Sequence, residues 1–130
     1  MNIPEGLFYT KEHEWAKIEG NQVTVGITDY AQSTLGDITF IELPEVGVEV
    51  AQSDTLAAVE SVKAASDVYA PLSGKVIKVN QLLESSPEII NQSPYEDGWL
   101  VVIELKDESE KEKLLDHSSY KTYIEGLSTA

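Results

Sequence analysis

In several short stretches of the chain apolar and polar positions alternate with a period of two, the mark of strands with one buried face. In "EWAKIEGNQVTVGI" two such runs flank Glu19-Gly20-Asn21, and Val23, Val25 and Ile27 share one face of the second; this predicts a hairpin. "TDYAQSTLG" breaks the rhythm: Thr28 is a helix start, Ala31 and Leu35 lie four apart, and Gly36 is a terminator, so a short helix of about two turns is expected there. "ITFIELP", bounded by Asp37 and Pro44, is β-branched and aromatic, and "GVEVAQSDTLAAVES" carries Val48 and Val50 before a polar break at Gln52-Ser53-Asp54; both predict further strands.

In "GKVIKVNQLL" a strict alternation puts Val76 and Lys78 on one face and Ile77 and Val79 on the other, while "GWLVVIEL" is the near-continuous apolar run of a buried strand. Between them "ESSPEIINQSPYEDG", with two prolines and several turn formers, cannot be one regular element and reads as an ordered surface loop. Beyond Leu105, Ser109 and Glu112 have capping-box spacing, and Tyr120, Tyr123, Ile124 and Leu127 recur at helical spacing. A carboxyl-terminal helical segment over about 109–127, packed by one face on a sheet, is the expectation. Many short strands with peripheral helices, no long repeat and no low-complexity linker argue for a small sandwich or flattened barrel.

Composition narrows the function. A chain of 130 residues suits one domain, 1–130. Twenty-three acidic residues against nine basic ones make a formal charge of −14, which repels nucleic acid and anionic membranes, favours a soluble monomer, and steers toward partners with basic surfaces. The absence of cysteine excludes disulfides and thiolate chemistry by the chain itself. Neither a secretory signal nor an apolar run of membrane-spanning length is present, so a cytoplasmic location is expected.

One stretch stands apart. "AVESVKAASDVYAPLSG" places Lys63 where two short apolar runs would reverse, between Ser61 and the small residues Ala64, Ala65 and Ser66, with Glu60 three positions before it. A lysine at a hairpin tip is solvated and needs no role. Its small-sided surroundings also make it an open target for acylation, which would turn it into a flexible arm. His13, next to a buried-type Trp and with His117 far off in the chain, lacks metal-ligand spacing and is expected to be structural. Trp15, Trp99 and Tyr95 read as core or loop anchors.

The chain resembles the H proteins of the glycine cleavage system, a family of lipoyl carriers, from Gly6 to about Tyr123. The resemblance rests on "HEW", "VGITDYAQSTLGD", "ELPEVG", "ESVKAASDVYAP", "SGKVIKVN" and "NQSPYEDGWL", in that order and spacing. It implies a mainly β barrel-sandwich hybrid of the lipoyl/biotinyl-domain kind, two small antiparallel sheets with short helices and a carboxyl-terminal helix. It implies lipoate in amide linkage on Lys63, Glu60 as the acidic residue read by a lipoate-attaching enzyme, and Gly47 and Gly74 as the turn glycines that frame the lipoyl hairpin. Glu14 and Asp67 would line a cleft that receives the loaded arm and hold its amine; Glu12 and Thr34 stand where other members can carry serine and histidine.

The implied work is that of a non-catalytic shuttle. Lipoamide would accept an aminomethyl group from the glycine decarboxylase (P protein), deliver it to the aminomethyltransferase (T protein), and be reoxidised by dihydrolipoyl dehydrogenase (L protein). A biotin carrier usually sets its lysine between methionines, and a lipoyl domain of a 2-oxoacid dehydrogenase typically shows Asp-Lys-Ala; Val62-Lys63-Ala64 fits neither. An H-like protein that relays lipoate or serves redox regulation is the alternative.

Overall fold

The structure, a computed structural model, describes residues 2–128; Met1, Thr129 and Ala130, the ends of the expected domain, lie outside them. Among the described residues, nine strands form two antiparallel sheets. The larger contains β1 (Phe8–Tyr9), β2 (Glu14–Glu19), β3 (Gln22–Ile27), β9 (Val101–Leu105), β8 (Gly74–Val79) and β5 (Glu49–Val50), in that spatial order. The smaller contains β4 (Ile38–Glu42), β6 (Thr55–Ser61) and β7 (Ala65–Tyr69), with β6 central. The fold is the expected mainly β one, with short helices and a helix near the carboxyl end.

Strand parity builds the core. Ala16, Val23 and Val25 from β2 and β3, Val101 and Ile103 from β9, and Ile41, Val59 and Val68 from the smaller sheet belong to one buried cluster between the sheets, where each fully buried aliphatic side chain contributes about 1.5–3 kcal/mol. The opposite parity of β1 and β2 sends Tyr9 and Trp15 to the outer face, where Tyr120 and Ile124 cover them. Tyr9 and Tyr120 stack with ring centroids 4.6 Å apart.

Helix α1 (Asp29–Leu35) starts and stops as expected. The Thr28 hydroxyl accepts a hydrogen bond from the Ala31 amide, and Gly36 ends the helix at φ 77°, ψ −155°, a conformation nearly confined to glycine.

Three expectations are corrected. A register shift between Val76 and Lys78 leaves Ile77 as an extra residue in β8; Val76 and Val79 pack against the core while Lys78 is exposed, because a bulge reverses strand parity. The 84–98 stretch is more than surface loop: α2 (Leu82–Ser85) and α3 (Ile89–Gln92) are single turns that bury Leu83 and Ile90. The carboxyl-terminal segment is two helices, a 3₁₀ helix (Glu108–Lys113) and α4 (His117–Ser128). Asp107 rather than Ser109 caps the first, its carboxylate accepting from the Ser109 amide. Leu115 interrupts the helices because it forms a β-bridge with Tyr9, and the Glu110 carboxylate ties the 3₁₀ turn to the amide and hydroxyl of Ser73 at 2.8 and 2.7 Å.

Candidate functional site

Lys63 sits at the tip of the β6–β7 hairpin. Glu60 pairs with Ala65, and Ser61 to Ala64 turn the chain. Ser61 organises the turn: its amide donates to the Ala64 carbonyl at 2.8 Å, and its hydroxyl accepts from the amides of Ala64 at 3.1 Å and Lys63 at 3.4 Å. A side-chain oxygen bonding amides two and three residues ahead is the usual way serine stabilises a tight turn. Lys63 is exposed, and among the described residues no carboxylate pairs with its amine. The tip is also tied sideways, since the Val62 amide donates to the Asp37 carbonyl at 3.0 Å.

Glu60 lies across β6 from Phe40 of β4, and the next outward-facing row is Glu42, Ala58 and Asp67. With alanines at Ala58 and Ala65, this outer face forms a shallow depression of about 390 Å³ bordered by Phe40, Glu42, Glu60 and Asp67. Asp67 is exposed in it.

Glu14 has a different setting. As the first residue of β2 it shares the parity of Ala16 and faces inward at the mouth between the sheets, with 2% of its surface exposed. One carboxylate oxygen accepts the Tyr69 amide of β7 at 3.1 Å and the other accepts the Thr10 hydroxyl. Burial pushes its pKa up to about 7, against the opposing pull of those two hydrogen bonds. It lines a cleft of about 460 Å³ with Glu12, Ser53, Tyr69, Pro71 and Leu115. Glu14 and Asp67 therefore face separate concavities, and Thr34 lies exposed on α1. Only Val68 separates Asp67 from Tyr69, but Asp67 projects from the outer face of its sheet whereas the Tyr69 backbone reaches Glu14.

The two glycines act at the other sheet, on the β5–β8 ladder, and neither touches the tip. Gly47 adopts φ 102° and its amide donates to the Val76 carbonyl at 2.7 Å. Gly74 is no left-handed turn residue, which corrects the reading of it as a turn glycine. It pairs within a strand, and a β-carbon there would fall 2.1 Å from the Glu104 carbonyl oxygen and 2.4 Å from Ile103 Cγ2. The requirement is close approach of β9.

His13 is structural in its contacts. It holds a left-handed φ of 72°, its Nδ1 lies 2.9 Å from the Tyr120 hydroxyl, and its ring centroid is 4.5 Å from that of Tyr30; burial lowers its pKa. Trp15 lies over Gly26 and donates its indole N–H to the Pro94 carbonyl at 3.0 Å. Tyr95 accepts from the Asp29 amide at 2.9 Å and donates to the Asn2 carbonyl at 2.7 Å, and Trp99 lies under the Lys78 ammonium.

Sequence reading missed Asn91. Its side-chain oxygen accepts the Ile38 amide at 2.9 Å while its amino group donates to the Gly36 carbonyl at 2.8 Å and to Gln32 at 3.0 Å. The segment so held, Gly36 to Ile38, is the one that binds the lysine tip through Asp37. An asparagine within a proline-bounded loop gives no local sign of such a distant task.

The comparisons agree with this architecture. The family model for the glycine cleavage H-protein matches residues 7–126. The chain is 56% identical over 124 residues to glycine cleavage system H proteins of Staphylococcus haemolyticus (strain JCSC1435) and of Staphylococcus saprophyticus subsp. saprophyticus, in each case covering 95% of this chain and 98% of the relative. The crystal structure of a glycine cleavage system H protein from Mycobacterium marinum superposes with a TM-score of 0.84 at 36% identity, covering 95% of this chain and 99% of that one. A match spanning residues 7–126, together with relatives of this identity and coverage, means that the chain belongs to the glycine cleavage H-protein family.

Proposed function

We propose that this chain acts as the lipoyl carrier of the glycine cleavage system, with Lys63 as the attachment residue and with no catalytic step of its own. Family membership supports the carrier role. The observation that carries the assignment to Lys63 is its place at the tip of a four-residue turn with small neighbours, exposed and with no carboxylate partner among the described residues. These residues fit a lipoyl group: an amine with nothing to release is open to acylation, and Ala64, Ala65 and Ser66 leave room for an enzyme to approach. When bound, lipoate supplies a disulfide that can take up an aminomethyl group, and the tether raises that group's effective concentration at a docked active site.

The chain's own residues present and protect. Glu60, on the outer face beside the tip, is the acidic mark for the attaching enzyme. Gly47 and Gly74 hold the larger sheet in register. Glu14 is the inward carboxylate best placed to accept from an ammonium: two of its acceptor positions are already occupied and a carboxylate has about four. Asp67, outside that cleft, belongs to the face that partners meet. The partners in this reading are the glycine decarboxylase, the aminomethyltransferase, dihydrolipoyl dehydrogenase and a lipoate-attaching enzyme. The chain works as one cytoplasmic, monomeric carrier unit, and no helix among the described residues is long and apolar enough to cross a membrane.

Intact mass of the protein made in a lipoate-competent host, with peptide mapping around Lys63, tests the assignment. The expected result is one added lipoyl group, located on Lys63 and lost in Lys63→Arg. Wild type that remains unmodified with lipoate and a lipoate ligase supplied would overturn it.

A further inference from the structure

The Lys63 side chain does not simply extend into solvent. Its stem lies along Gly36, so that a β-carbon on Gly36 would come within 3.4 Å of Lys63 Cε and 4.0 Å of Nζ. Gly36 closes α1 in a backbone conformation nearly confined to glycine, and this leaves a bare stretch of backbone beside the hairpin. That stretch is held from both sides. The Gly36 amide donates to Gln32 at 2.9 Å as the helix cap. On the far side Asn91 of α3 grips the Gly36 carbonyl and the Ile38 amide. The orientation of the Asn91 amide is unambiguous, because its oxygen faces an N–H and its amino group faces two oxygens. Between the gripped residues, the Asp37 carbonyl accepts the Val62 amide next to the lysine. Two sets of hydrogen bonds joined by the Gly36–Ile38 backbone thus connect α3 to the tip.

We propose that Gly36, held in place by Asn91, is a seat for the Lys63 side chain, a positioning surface that restricts the lysine before the lipoate-attaching enzyme engages it. The proposal rests on the reading of Lys63 as the attachment residue. In the attachment step the neutral Nζ forms a bond to the carbonyl carbon of a lipoyl group activated as a mixed anhydride. The activating phosphate group leaves with its electron pair and an amine proton passes to solvent. A freely moving lysine must give up most of its rotamer freedom to enter an active site, and restricting about half of that freedom in advance corresponds to roughly a fivefold faster transfer.

The test measures enzymatic lipoylation of the full chain by intact mass for wild type, Gly36→Ala, Asn91→Ala and Gly20→Ala. Gly20 is the control: it also has a positive φ, 64°, but nothing lies within 4 Å of its would-be β-carbon, so its variant carries backbone strain without touching the lysine. A β-carbon at Gly36 would meet the lysine only at ordinary contact distance, so Gly36→Ala acts by straining the φ 77°, ψ −155° backbone that forms the seat. Transfer to Gly36→Ala and Asn91→Ala should slow about fivefold, transfer to Gly20→Ala should stay within about twofold of wild type, and acetylation of Lys63 by acetic anhydride should not slow in any of them. Equal rates for folded Gly36→Ala, Asn91→Ala and Gly20→Ala would overturn the seat. Should Gly36→Ala fail to fold, Asn91→Ala and a nuclear Overhauser contact between the Gly36 α-protons and the Lys63 ε-protons of wild type decide; absence of that contact also overturns the seat. Wild type that accepts no lipoyl group, with the contact present, would overturn the attachment reading and the seat's purpose with it, a result distinct from failure of the seat alone.

Discussion

Replacing Glu14 by Gln should change how stability depends on pH. Burial at the mouth between the sheets lifts the Glu14 pKa from its ordinary 4.5 to about 7. The folded protein therefore holds this proton more tightly than the unfolded chain does. Below pH 4.5 both states are protonated and the associated stability is fully present; between 4.5 and 7 the unfolded state ionises first, and stability falls; above about 7 both are ionised and the loss is complete. A rise of about 2.5, from 4.5 to about 7, at about 1.36 kcal/mol for each pH unit amounts to about 3 kcal/mol. Glutamine cannot ionise. Its carbonyl can keep the Tyr69 amide and its amino group can donate to the Thr10 oxygen, so the fold should survive. Urea unfolding of wild type and Glu14→Gln from pH 4 to pH 8 is the assay, and the difference between the two proteins is the quantity to follow. Groups common to both cancel in it, including His13, whose lowered pKa acts in the opposite sense. The difference should move by about 3 kcal/mol in favour of the variant as pH rises. A difference constant to within about 0.5 kcal/mol, the scatter of an ordinary surface substitution, would refute the idea that this carboxylate is held in a desolvated site.

Other outcomes follow from particular contacts. With an aminomethyl-loaded arm and no partner enzymes, Glu14→Ala should hasten decay of the loaded state by about 5- to 30-fold, the weight of one or two kcal/mol. Asp67→Ala, outside the Glu14 cleft, should leave decay nearly unchanged; equal effects would refute the separation of the two carboxylates. Gly74→Ala must push a β-carbon into the Glu104 carbonyl and the Ile103 methyl, which backbone pairing cannot relieve, so thermal unfolding should show a Tm lower by about 10 °C. Tyr120→Phe deletes the hydroxyl shared by His13 and Thr28 and should cost about 1–2 kcal/mol in denaturant unfolding while the Tyr9 stacking remains.

What the sequence determined by itself is whatever neighbours along the chain decide. Two short apolar runs meeting at a small-sided tip located the β6–β7 hairpin and put Lys63 at its reversal; Thr28 and Gly36 bounded α1 because caps act within one turn; the apolar run before Leu105 marked a buried strand. Where a distant segment supplied the partner, the local pattern was silent or misleading. The bulge at Ile77 follows from register with β9, the bar on a side chain at Gly74 from the closeness of Glu104, and the break at Leu115 from its bridge to Tyr9. The same holds for the site. Sequence placed Lys63 and Glu60 together because one hairpin carries both, whereas only the tertiary fold could bury Glu14 against Tyr69, turn Asp67 to the outer face of its sheet, and bring Asn91 onto Gly36 and Gly36 beside the lysine. Strand parity is a local property and can be read one residue after another, but burial and electrostatic character arise from packing between segments far apart in the chain, and they exist only once the sheets have met.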